Sequence, residues 1–313
     1  MDLYQAACLI ALMSTLSLLL GLRLGRSGSP RIQLTLQLFA LVVGMGYYLT
    51  AWDRPLLTRL LPHTSLIVLA NLLPVFGCFF AGMYFRAKRV CAWRRALIGP
   101  ATVVLSGYAI VAPLTGQPPL CEEDSGGTLV AQSTPFTCSP AVAASLLRLH
   151  GIQVSESHMA KLCLTRQGTH WLGLYRGLKI MTKGSEWDVE VCPFSRQAVQ
   201  ELGQRPAILS LNLDAARMRL TDEYGFRADA GHSVLQLGEL LSGNLLVFDP
   251  SPSYGLEIWE SDILTSVSKG VIISLSPASD LAPTQEVAAR LQLARGRRNR
   301  FIRVSMTETA QFH

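Results

Sequence analysis

Four apolar runs, at about residues 3–22, 34–52, 65–85 and 96–114, fill the first third of the chain. Each has the ~20 residues a helix needs to cross a bilayer core, so the pattern predicts four transmembrane helices over residues 1–115. Pro74 and several glycines fall inside the runs, which membrane helices tolerate because neighbouring helices satisfy freed backbone groups. The first run reads as a span and not as a cleaved leader. Its leading flank carries only Asp2, and Arg23 and Arg26 follow the run instead of preceding it.

The pattern changes at residues 116–127, a linker rich in Gly, Pro and acids. Beyond it, Ala, Val and Leu recur at helical spacing over 140–150, with Ser139 and Pro140 as a start and Gly151 as a stop. Cys138 therefore falls at the amino end of a helix. A second helix is expected from Ser155 to about residue 164 and a third over 171–182. Short apolar or alternating runs at 187–191, 207–213, 232–238, 245–249 and 271–275 predict strands. Helices first and sheet later imply an α+β domain over 128–280. Ser242-Gly243-Asn244 is a hairpin-type turn signal, which puts His232 and Asp249 on adjacent antiparallel strands. Residues 214–231 form a long polar connection of the kind that serves as a lid or binding segment. The tail, 281–313, carries Arg295, Arg297, Arg298, Arg300 and Arg303. It reads as a solvated basic end, with contact to anionic lipid headgroups as the alternative.

The charge distribution follows these boundaries. Lys and Arg against Asp and Glu number ten and two over 1–119, twelve and eighteen over 120–280, and six and two over 281–313. The segment charges are +8, −6 and +4, which sum to the overall +6. The basic balance is therefore no single basic surface, and nucleic-acid binding is not expected. Arg23, Arg26 and Arg31 follow the first run, and Arg86, Lys88, Arg89, Arg94 and Arg95 precede the fourth. Only Arg54 and Arg59, with Asp53, lie between the second and third, and Glu122, Glu123 and Asp124 follow the fourth. The excess of positive charge on cytoplasmic loops then places both termini outside. The expected location is a bacterial cytoplasmic membrane, with the α+β domain on its outer side, the periplasm in a Gram-negative cell.

Of seven cysteines, Cys8, Cys78 and Cys91 lie in or beside the apolar runs and Cys121, Cys138, Cys163 and Cys192 in the polar part. Most read as small buried hydrophobes; Cys163 and Cys192 are candidates for a disulfide in an oxidising compartment. No pair of cysteines or histidines has zinc-ligand spacing, and neither a metal nor another cofactor is expected.

A cysteine at a helix amino end is a nucleophile in waiting, because the partial positive charge there favours thiolate. It needs a base and a group that fixes the base's tautomer. His232 and Asp249, brought to one end of the sheet by the hairpin, fit those roles. Gln132, six residues ahead of Cys138, can donate an N–H to an oxyanion together with the Cys138 backbone N–H.

The segments Gln132-Ser-Thr-Pro-Phe-Thr-Cys138-Ser-Pro-Ala, Gly168-Thr169-His170, Gly231-His232-Ser-Val and Val247-Phe-Asp249-Pro250 resemble the C39 peptidases, papain-like enzymes that include bacteriocin-processing domains. The resemblance covers about 128–276. It implies a papain-like fold, Cys138 as nucleophile, His232 as base, Asp249 as third member and Gln132 as oxyanion residue, acting on a peptide or protein substrate. Ser139 stands where the family usually has Gly, the membrane part comes first, and no Walker A sequence follows. Export driven by ATP in this chain is therefore not expected, though a separate exporter is a candidate partner, as is the lipid bilayer itself. The same three residues also suit acyl transfer of the transglutaminase or acyltransferase kind, and the cleft would suit a non-catalytic peptide-binding module.

Overall fold

A computed structural model of the chain describes residues 3–27, 29–86, 91–122, 126–213, 231–260 and 263–278. The polar connection at 214–230, the tail from 279, Lys88, Arg89, Glu123 and Asp124 lie outside the described residues.

The N-terminal part is helical: α1 (Leu3–Ser27), α2 (Pro30–Thr50), α3 (Leu56–Leu60), α4 (Leu66–Leu69), α5 (Leu73–Phe85) and α6 (Ala92–Val111). Four stretches, Leu3–Arg26, Arg31–Thr50, Leu66–Phe85 and Ala92–Leu114, are long and apolar enough to cross a membrane. The run expected as one helix over 65–85 is instead broken between α4 and α5. Pro74 sits in the first turn of α5, where its missing N–H costs nothing, and its ring disfavours helical backbone just before it. The groups at the break find partners on neighbouring helices: the Tyr47 hydroxyl donates to the Ala70 carbonyl at 2.6 Å and Asn71 Nδ2 donates to the Ala109 carbonyl at 3.0 Å.

Helices α1 and α5 pack through glycines. A Cβ on Gly82 would lie 2.4 Å from the Leu18 carbonyl oxygen, and one on Gly21 would lie 2.4 Å from that of Phe79. Small residues allow this approach, and apolar association in lipid depends on such close packing. Gly82→Val is therefore expected to force the pair apart, lowering the melting temperature of the detergent-solubilised protein. Gly46→Ala, where nothing lies within 4 Å of the added Cβ, should leave it unchanged.

The C-terminal part opens with α7 (Cys138–Leu149), α8 (Glu156–Leu162) and α9 (Trp171–Met181), then β1 (Trp187–Pro193). After α10 (Arg196–Leu202) come β2 (Ala207–Leu213), β3 (His232–Glu239), β4 (Leu245–Asp249), β5 (Gly255–Trp259) and β6 (Val267–Pro277). Helix α10 and strand β5 are absent from the elements expected from the pattern. The strands form one six-stranded antiparallel sheet in the order β1-β6-β2-β3-β4-β5, so the domain mixes helix with antiparallel sheet as the pattern predicts.

Alternation along the strands gives the sheet two apolar faces. Leu235, Leu237, Phe248 and Ile273 pack under α7, α8 and α9, whereas Val234, Val247, Ile272 and Trp259 pack with Val199 and Leu202 of α10. The candidate disulfide does not form: Cys163 and Cys192 are free thiols. Cys163 belongs to the first core and Cys192 packs against the second, on the opposite face of the sheet.

The two parts share a core. Leu57, Leu66 and Ala70, from between and within the apolar runs, belong to the same buried cluster as α7 and α9. Asp53, at φ 61°, accepts hydrogen bonds from Trp171 Nε1 and Lys269 Nζ and lies 3.2 Å from His170 Nε2. Burial pushes the Asp53 carboxyl up, but His170, Lys269 and Trp171 together outweigh it and hold the group below the usual carboxylate range. A depressed folded-state pKa means that the contact's contribution is present above the unfolded carboxylate value of about 3.9 and is lost only as pH falls toward the folded value. Mild acid therefore leaves this contact intact.

Candidate active site

Cys138 is the first residue of α7. Thr137 provides no side-chain cap to that helix; its hydroxyl instead donates to the Thr134 carbonyl at 3.0 Å and accepts from the Thr134 N–H at 3.1 Å. The positive end of α7 is thereby directed at the thiol without a competing side-chain acceptor.

His232 begins β3 and Asp249 ends β4, and the antiparallel register, with Leu235 opposite Phe248, brings both to the same end of the sheet. The turn that joins the strands is as expected, with Gly243 at φ 81° and the Leu240 N–H donating to the Asn244 carbonyl at 2.8 Å. His232 Nε2 lies 2.8 Å from Asp249 Oδ2. Asp249 is buried, and its other oxygen accepts the Ser251 N–H at 2.7 Å. With Nε2 taken, the other ring nitrogen remains for the Cys138 thiol, to which the imidazole is hydrogen-bonded.

The electrostatics follow from these bonds. Burial pushes the Cys138 thiol up, yet the hydrogen bond and charge of His232, the Ser233 backbone and the Ser139 side chain outweigh it and hold the thiol below its ordinary value. Burial pulls His232 down, but Asp249 and Cys138 more than compensate and the imidazole is pushed up to about 10. The thiol is thus lowered and the imidazole raised, each group favouring the charged form of the other. Glu257, half-buried on β5, is held up chiefly by burial; its carboxylate accepts Trp259 Nε1 at 2.9 Å and senses both Asp249 and His232.

Two further contacts hold the group in place. Ser139 Oγ and Ser233 Oγ lie 2.8 Å apart in a buried bond, joining the residue after the thiol to the residue after the imidazole. Ser139 thus ties α7 to β3. Gln132 donates its backbone N–H to the carbonyl of Pro250, beside Asp249, at 2.7 Å. Its neighbour Ser133 donates through N–H and Oγ to the two oxygens of buried Glu156, at 2.9 and 2.7 Å. Gln132 Oε1 is itself buried without a hydrogen-bond partner.

The structure therefore joins Cys138, His232 and Asp249 in one hydrogen-bonded chain and fixes the Gln132 backbone next to it. Sequence reasoning missed Ser233, Glu156 and Glu257. Ser233 was signalled only by its place after His232, and the other two lie in no motif. Among the described residues, no group of three or more His, Cys, Asp or Glu stands together to hold a metal.

No protein-family model matches the chain, and no curated protein matches it. Among solved structures, it is similar to the peptidase domain of Streptococcus ComA, a bi-functional ABC transporter involved in a quorum-sensing pathway. Identity is 21%, over 48% of this chain and 98% of that one, with a TM-score of 0.39. It is also similar to the peptidase domain of Streptococcus mutans ComA, at 21% identity, 48% and 100% coverage and a TM-score of 0.33.

Proposed function

We propose that this chain is a membrane-anchored, papain-like cysteine peptidase of the C39 type, with Cys138 as nucleophile, His232 as acid and base, Asp249 as orienter and Gln132 as oxyanion donor. The observation that carries this reading is the 2.8 Å bond between His232 Nε2 and Asp249 Oδ2 in an imidazole that also bonds a thiol at a helix start. The Cys138 thiolate attacks the carbonyl carbon of a peptide bond, forming a C–S bond as negative charge moves to oxygen. The Cys138 N–H and the Gln132 amide receive that oxyanion. Collapse breaks the C–N bond, and the imidazolium gives its proton to the leaving amine. Neutral His232 then takes a proton from water, whose oxygen attacks the thioester, and the carboxylic acid leaves with return of the thiolate.

The ion pair has a measurable signature. The rate of Cys138 alkylation by iodoacetamide should stay high below the ~8.5 of an ordinary thiol and should fall as pH drops through the lowered thiol value. Turnover should also fall at high pH as His232 loses its proton, because its folded-state value is raised. A Cys138 that alkylates with an ordinary thiol profile contradicts the reading.

We further propose that the domain lies outside the cytoplasm of a bacterial cell. Asp53, between the second and third apolar stretches, touches the domain that follows the fourth, so both lie on one side, as four crossings require. The basic residues on the alternate loops choose the outer side. Alkaline phosphatase fused after Thr128 should be active; an inactive fusion, with fluorescence from a reporter that matures only in the cytoplasm, reverses the orientation. It would then place the domain where precursors meet a separate exporter.

A further inference from the structure

We propose that the substrate of this site is itself membrane-tethered and is cut in its juxtamembrane segment, on the order of 15 Å from the bilayer surface. This rests on the peptidase reading above and adds the substrate class.

The catalytic end of the sheet is also its docking end. His232 begins β3, Asp249 ends β4, and the start of β6 lies at the same end, with Leu211 opposite both His232 and Gly270. Two strand spacings, about 10 Å, therefore separate His232 from Gly270. Its neighbour Lys269 is bonded to Asp53, three residues beyond the end of the stretch Arg31–Thr50.

The other helix ends meet the same side. Arg166 Nε donates to the Thr115 carbonyl at 2.9 Å, immediately after the stretch that ends at Leu114. Leu164 packs against the cluster of Leu3, Ala6, Ile10, Val68 and Ile110, drawn from the beginning of the first stretch, the beginning of the third and the end of the fourth. Tyr48 and Trp52 stack with ring centroids 6.4 Å apart, at the level where aromatic side chains mark a membrane–water interface. Phe136, two residues before Cys138, is exposed and suits that apolar boundary.

The domain is not free to swing away, because Leu57, Leu66 and Ala70 are part of its own core. A cleft fixed at this height favours a chain that emerges from the same bilayer. Such a chain is presented at a high effective concentration set by its tether. An extended segment covers at most ~3.4 Å per residue, so reaching a cleft ~15 Å away takes at least about five residues between the substrate's anchor and the scissile bond.

The test uses the full chain in vesicles of phosphatidylcholine and phosphatidylglycerol. An epoxysuccinyl warhead, which alkylates thiolates, is offered in soluble form and linked to phosphatidylethanolamine by ethylene-glycol spacers of about 15 and about 60 Å. Labelling is read at Cys138 by peptide mapping, with Cys138→Ala as control. At equal total concentration, the short-spacer probe should label at least ten-fold faster than the soluble one. That advantage should shrink with the long spacer and disappear in excess detergent. Equal rates for short-tethered and soluble probes, or labelling by long-tethered and soluble probes only, would overturn the inference while leaving the peptidase reading intact. Failure of every probe to label Cys138 in folded protein would remove the peptidase reading, and this inference with it.

Discussion

Cys138→Ala should abolish peptide-bond cleavage, with a loss of about 10⁴-fold or more in kcat, while the protein keeps its helical circular dichroism. The side chain is half-buried at the start of α7, so removal of one sulfur atom leaves the Ser139–Ser233 bond and the α7 core in place. His232→Ala should be nearly as damaging, because the hydrogen bond and charge of His232 are the first causes that lower the Cys138 thiol against its burial. The double variant should be no worse than either single variant, since groups acting as a unit lose their function together. The assay is cleavage of a randomised peptide library read by mass spectrometry. Turnover retained in purified Cys138→Ala would sink the assignment.

Asp249→Asn should lower kcat by about 10²–10⁴, between the effects of losing an orienting contact and of losing the tautomer altogether. The carboxylate accepts two hydrogen bonds, from His232 Nε2 and from the Ser251 N–H. An amide has one oxygen, so its NH2 group must face one of these donors and leave a buried bond broken. Loss of the negative charge also removes support for the imidazolium. The alkaline limb of the pH–rate profile should therefore move to lower pH, while the melting temperature falls by no more than a few degrees. A loss of rate with an unmoved alkaline limb would show that Asp249 only holds structure. Gln132→Ala should cost about 10²–10³ in kcat with little change in KM, as expected for a donor that acts on the oxyanion.

Much of this molecule is legible in its linear pattern, because the deciding physics is local. Hydropathy over ~20 residues marks a span wherever it falls, and the four apolar stretches are found where the runs predict them. Helix α7 follows from its spacing of small apolar residues and its stop at Gly151, which adopts φ 83°. The Ser242-Gly243-Asn244 turn specifies the β3–β4 hairpin, and with it the meeting of His232 and Asp249.

Other features escaped because they depend on partners far away in the chain. Strand β5 presents Leu256 and Ile258 outward, reversing the apolar-in pattern by which a strand is recognised, and α10 spans only seven residues. Strand β6 enters between β1 and β2, an order that no turn signal records.

The apolar stretches, the mixture of helix with antiparallel sheet and the choice of Cys138, His232 and Asp249 as proposed nucleophile, base and orienter all follow from short-range patterns or a residue's own chemistry. How they are held, and which way they face, depends on contacts between distant parts of the chain. Ser139 meets Ser233 across 94 positions, and Asp53 meets Lys269 across 216. The separation of Cys163 from Cys192 was likewise decided by the sheet that lies between their cores. Such contacts arise when many weak apolar faces bury one another at once, and their energy belongs to the packed arrangement and not to any segment of the chain.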